Sequence, residues 1–154
     1  MISEATKTIL ASTVKEWNKF KTEQIKLSLV ANEVAAIASK VILEQLQFLK
    51  TQSIDVQCDS VESMKVLGVP IVVQPVIEAV FPNTKGSVLL KCAGAARMIV
   101  INPNLSISAG GNPVTYEQLQ RIVPESFAAN AAEFVRDAFL NVARTGGKEN
   151  PATA

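Results

Sequence analysis

Apolar positions in the first fifty residues recur at helical spacing: Ile9, Leu10, Val14, Trp17 and Phe20, then Leu27, Val30, Val34, Ile37, Val41 and Phe48. Steps of three and four place such residues on one side of an α-helix. Neither glycine nor proline interrupts the chain before Gly68 and Pro70. The second set alternates threes and fours as a coiled-coil seam does, but Glu44 breaks it before three or four heptads are complete. A helix facing a core gives the same pattern. The polar stretch "NKFKTEQ" is read either as a bend between two helices or as the middle of one helix over about residues 4 to 50. One continuous helix would be about 70 Å long, against a radius of gyration of about 15 Å for a compact domain of this size. It would therefore project and need a partner chain, whereas two helices would pair within one subunit.

From Ser53 the period changes. In "SIDVQC", Ile54, Val56 and Cys58 alternate with Asp55 and Gln57, as in a strand with one buried face. Asp59 with Glu62 three residues on, and Gly68 beyond, predict a capped short helix over about 60 to 67. The β-branched run "VPIVVQPV" predicts a strand that Pro70 and Pro75 confine to an edge, and "PVIEAVF" one helical turn after it. "GSVLLKC" and "ARMIVI", joined through "AGA", predict a hairpin with a three-residue connection. "LSIS" alternates again, and "AGGNP" is a strong loop signal. Thr115 and Gln118 form a capping box, Pro124 restarts or kinks the helix, and Phe127, Ala131, Phe134, Ala138 and Val142 share one stripe before Gly146 stops it.

The order of elements predicts an α+β fold: an N-terminal helical half, a four- to five-stranded, mostly antiparallel sheet, and a C-terminal helix. Residues 1–52 form a helical segment that packs on the sheet or on a partner subunit, 53–145 the α+β core, and 146–154 a C-terminal tail, all within one domain.

Composition narrows the chemistry. The 154 residues suffice for one domain with a real core, and 48% are hydrophobic while only 19% are charged. No apolar run approaches the roughly 18 residues of a membrane span, and the N-terminus lacks the segments of a secretory signal. The expected location is cytoplasmic, or within a virion if the assembly is viral, with no membrane association. The chain has no histidine, which removes the commonest general base and the favoured transition-metal ligand. Its two cysteines are too few for a disulfide scaffold, and the formal net charge of +1 provides no global field toward nucleic acid.

Several residues remain as candidates for chemistry. Cys58, at the expected N-terminus of a helix, would gain thiolate character from the helix dipole. Asp59 and Glu62 oppose that effect, and the alternation with Ile54 and Val56 makes Cys58 a small buried hydrophobe. Asp55, Asp59 and Glu62 are the one acidic cluster; such carboxylates can do general acid and base work or bind a hard cation, but a solvated face is the favoured reading. Gly110 and Gly111, within "SAGGNP" at 108–113, could turn backbone N–H groups to an anion, yet the loop has no lysine or arginine and no phosphate-binding motif. Lys15, Lys19 and Lys26 share a helix side with Glu16 and Glu23 interspersed. Arg97, inside an apolar strand, is expected to reach the sheet rim, a carboxylate such as Glu78, or a neighbouring subunit.

No cofactor or metal is expected, and the chain reads as non-enzymatic. The leading expectation is a structural or assembly subunit of a larger homo-oligomeric complex, such as a virion or a comparable multi-subunit machine. Trp17, Phe20, Leu27, Val34, Val41 and Arg97 are the interface candidates. A small enzyme or ligand-binding domain using Cys58, the acidic residues or the glycine loop is the alternative, and nucleic-acid binding through the lysine face ranks third.

Overall fold

The computed structural model describes residues 1–146. The helical half is one helix, α1 (Glu4–Thr51), 48 residues long and so about 72 Å from end to end. Ser3 caps it by accepting from the Thr6 N–H at 3.2 Å, with Glu4 in the first turn and Lys50 in the last, both signs matched to the helix dipole. With no glycine or proline inside it, nothing in the backbone favours a bend at "NKFKTEQ".

The C-terminal end of α1 closes differently from the glycine stop that sequence patterns favour. Ser53 takes φ 64°, and its N–H donates to the Lys50 carbonyl at 3.1 Å, while the Ile54 N–H donates to the Leu49 carbonyl, also at 3.1 Å. Those two bonds make a Schellman motif with serine in the left-handed position. The motif brings Ile54 back toward Leu49.

Two antiparallel sheets follow. β1 (Val56–Cys58), β2 (Met64–Val66) and β3 (Val69–Pro70) form a small three-stranded sheet. The helix expected over 60–67 is absent. Residues 59–63 form a turn, with the Ser63 N–H donating to the Ser60 carbonyl at 3.1 Å, and Met64 pairs with Cys58. Asp59 therefore caps nothing. Gly68 (φ 85°) ends no helix but joins Leu67 (φ 48°) in a two-residue hairpin turn between β2 and β3. Positive φ at both positions is the conformation of tight hairpins.

The second sheet is a meander of β4 (Val72–Val80), β5 (Asn83–Cys92), β6 (Ala95–Ile101), β7 (Ser106–Ser108) and β8 (Val114–Thr115), in that spatial order. β4 lies at the edge, which is where Pro75 is tolerated. The helical turn expected in "PVIEAVF" is instead the second half of β4, paired residue by residue to β5 as far as Val80 with Asn83 across the cis Phe81–Pro82 peptide. β5 and β6 pair as expected, but the loop is the two residues Ala93 (φ 51°) and Gly94 (φ 86°), because Cys92 pairs with Ala95. α2 (Tyr116–Arg121) begins with the Thr115–Gln118 capping box, both bonds formed, and α3 (Glu125–Thr145) ends at Gly146 in the left-handed conformation.

Both long helices pack on one face of the larger sheet. Alternate residues Val88, Leu90, Cys92, Ile99 and Ile101 point into the core, where they meet Val34, Ala38 and Ile42 of α1 and Phe134 and Ala138 of α3. The predicted stripe of α3 is buried at all five positions. Among the described residues no helix lies over the outer face of the sheet, and Val72, Met98 and Val100 are exposed on it. Of the C-terminal tail expected over 146–154, everything after Gly146 lies outside the described residues.

Candidate assembly surfaces

The sites that sequence reasoning put forward for chemistry are held apart or closed. Cys58 is buried on β1 opposite Met64, and a turn, not a helix N-terminus, follows it, so no helix dipole polarises the thiol. Cys92 is also buried and free, and its thiol lies 3.7 Å from the Val69 carbonyl. Burial pushes its pKa up to about 11, which keeps it protonated and unreactive near neutrality. Asp55, Asp59 and Glu62 all face solvent. Among the described residues, no group of three or more His, Cys, Asp or Glu side chains is placed to hold a metal ion.

The glycine loop has a packing reason for its glycines. A Cβ on Gly110 would sit 3.2 Å from Asn130 Oδ1, and one on Gly111 would sit 3.0 Å from Ser126 Cβ. The loop thus presses on the first two turns of α3, and the glycines allow the close approach. Lys15, Lys19 and Lys26 remain on one exposed side of α1, with Glu16 and Glu23 beside them.

Arg97 points inward from β6 to α3. Its Nη2 donates to Asp137 Oδ2 at 2.9 Å, and Nη1 lies 3.6 Å from Glu133 Oε2. The carboxylates it reaches are therefore those of α3 and not Glu78, because the alternation of β6 aims Arg97 at the helical layer. All three side chains keep more than a third of their surface in water, so the pairs are screened and hold α3 on the sheet only weakly.

Of the helical interface candidates, Phe20, Leu27, Val34 and Val41 are buried within the subunit. The sheet is long enough to cover α1 from Phe20 onward. Trp17 sits at the margin, packed against Phe20 and Phe81 at ring-centroid distances of 5.4 and 5.9 Å, with Lys21 Nζ 5.2 Å from its own ring. It remains 47% exposed.

Two surfaces stand out once the core is subtracted. The first is the arm: residues 1–19, each exposed, which comprise the start of α1 from Glu4 up to the point where Trp17 meets Phe81 at the tip of the β4–β5 hairpin. Ile9 (68%), Leu10 and Val14 lie on it in water; Ile9 is in line with the face buried further along the helix, and Leu10 and Val14 stand progressively to one side of it. The second is a groove at the opposite end of α1, about 500 Å³ in volume, between the last turns of α1 and the outer side of α3. Phe48, Leu49, Ile54, Val135 and Phe139 supply its apolar walls, and Phe48 is 64% exposed. Glu44 stands on the α1 wall and Arg136 on the α3 wall. Gln45 donates through Nε2 to the Ala128 carbonyl at 2.9 Å, while its Oε1 is buried with no hydrogen-bond partner among the described residues.

The sequence pattern places Phe48 on the helix stripe and Ile54 on a strand face, and neither local pattern shows the groove. It arises because the Schellman turn sends Ile54 back along α1, a fold-back for which serine gives little warning. No family model, curated protein or solved structure matches this chain.

Proposed function

We propose that this protein is a non-enzymatic structural or assembly subunit of a larger homo-oligomeric complex. The observation that carries the reading is the arm. An isolated helix of roughly sixteen residues is only marginally stable in water, yet here it leaves Ile9, Leu10 and Val14 exposed on one side, with no cover from the described residues of its own chain. Burying each such side chain is worth about 1.5–3 kcal/mol, so a partner surface that covers several of them stabilises both the arm and the complex. Surfaces of this kind mark contacts with other proteins. A virion or another machine built of repeated subunits is the setting that suits such a subunit.

The candidates for catalysis do not compete with this reading. Cys58 and Cys92 are buried, the carboxylates are solvated, and Gly110 and Gly111 are explained by their approach to α3. The experiment is the native mass of the full chain across micromolar concentrations, by light scattering or native mass spectrometry. A particle of several subunits is expected, and a monomer throughout that range refutes the proposal.

A further inference from the structure

The arm and the groove lie at opposite ends of one rod. Val14 and Phe48 are thirty-four residues apart on the same unbroken helix, which separates them by about 51 Å. The arm cannot reach its own groove without breaking α1, and α1 has no glycine or proline at which to break. Whatever joins the two surfaces must join different copies of the chain.

We propose that the arm of one subunit docks into the α1/α3 groove of the next, a head-to-tail contact between identical chains. This rests on the assembly reading above and adds to it the location and sense of the interface.

Three features match. The groove lies between two helices, so its natural occupant is a third helix with an apolar stripe. Its α3 wall runs from Ala132 to Phe139, a span of about 10 Å, and the arm's stripe from Leu10 to Trp17 covers the same number of residues and the same rise.

The charges also correspond. Glu44 and Arg136 put opposite signs on the two walls. On a helical wheel, Lys7 and Glu16 stand about 80° and 100° to either side of the stripe formed by Ile9, Leu10, Val14 and Trp17. One of the two possible helix directions sets lysine against glutamate and glutamate against arginine, and the other sets like charges together. The direction of docking is therefore specified by repulsion as well as attraction.

A contact that uses different surfaces on its two sides leaves one arm and one groove unfilled at the ends of any open chain. It grows into a filament or closes into a ring.

The test uses full-length variants in sedimentation velocity. Leu10→Glu with Val14→Glu disables the arm at exposed side chains outside the buried core of the subunit. Phe48→Glu disables the groove at an exposed position, and Arg136→Glu does so through charge at an exposed helix surface. Each variant alone is expected to weaken self-association by at least about 30-fold. An equimolar mixture of the arm variant with either groove variant should give a 1:1 heterodimer and nothing larger, because one intact arm and one intact groove remain. If Phe48→Glu and Arg136→Glu both assemble as the unaltered chain does, the head-to-tail contact is refuted and the assembly reading stands. If the unaltered chain is itself monomeric, both are refuted.

Discussion

Leu27 and Gly86 touch where α1 crosses the sheet: a Cβ built on Gly86 would lie 2.9 Å from Leu27 Cγ and 3.2 Å from its Cδ1. Gly86 has no left-handed backbone, so the position is glycine for space alone. The core-facing register of β5 puts Gly86 between the buried Val88 on its own strand and Ile101 across the ladder. The close approach is what lets a helix as long as α1 seat flush on the sheet from Phe20 onward.

Gly86→Ala is accordingly expected to destabilise the fold by about 1–3 kcal/mol through overpacking, although alanine is otherwise the better strand residue. Leu27→Ala alone should also cost stability by leaving a cavity. The two changes together should cost less than their sum, since the second makes room for the first. Urea unfolding of the four chains in the cycle measures the coupling. A coupling of zero would mean that the contact carries no strain.

The end of α1 gives a second expectation. Ser53 sits at the one position of the Schellman motif where glycine is preferred, with φ 64°. Ser53→Gly should raise stability by about 0.5–1 kcal/mol, since relief of the left-handed penalty outweighs the added freedom of the unfolded chain. Both backbone bonds to Leu49 and Lys50 are kept in the variant. A lower melting temperature than that of the unaltered chain would contradict the geometry of the cap.

These two positions show what a sequence can and cannot display. Period and capping are local, and so the stripe of α3, the Thr115–Gln118 box and the β5–β6 pairing are all readable. Asp59, Glu62 and Gly68 imitate a capped helix because a turn and a tight hairpin ask for the same residue types. What decides between them is the pairing of Met64 with Cys58, which depends on the rest of the sheet. Pro75 likewise gives no sign that its strand continues to Val80, since only the empty side of β4 makes proline harmless there. The groove is the least legible feature. Its residues come from three stretches of chain, and the turn that gathers them carries serine where glycine would have announced it.

Cys92 links burial to pH. Its folded pKa of about 11 stands above the ordinary 9.0, so the folded state holds the thiol proton through a range in which the unfolded chain releases it. Stability from this source is therefore present in full below pH 9, falls as the pH rises from 9 to 11, and falls no further beyond that. That difference corresponds to a loss on the order of 3 kcal/mol. Lysine and tyrosine titrate in the same range, so the quantity to measure is the difference between the unaltered chain and Cys92→Ala in denaturant unfolding at pH 8.5 and 10.5. The unaltered chain should lose more stability over that interval than the variant does. Equal losses would show that the Cys92 thiol ionises as freely in the fold as outside it.

The arm makes the last expectation, because its helix and its burial are tied together. Beyond the first turn its backbone N–H groups are bonded within α1, but among the described residues no side chain of its own subunit buries Ile9, Leu10 or Val14. In a dilute monomer such a segment opens readily, and its amides exchange with solvent at rates close to those of an unfolded chain. Covered by a neighbouring subunit, the same amides must wait for the contact to dissociate. Hydrogen exchange over residues 8–19 should therefore slow as concentration rises through the association range, while exchange in α3, packed within each subunit, stays constant. The Leu10→Glu, Val14→Glu chain should show fast exchange in the arm at every concentration. Protection of the arm that is independent of concentration would mean that the helix holds itself without a partner, and the physical case for assembly through this arm would fail.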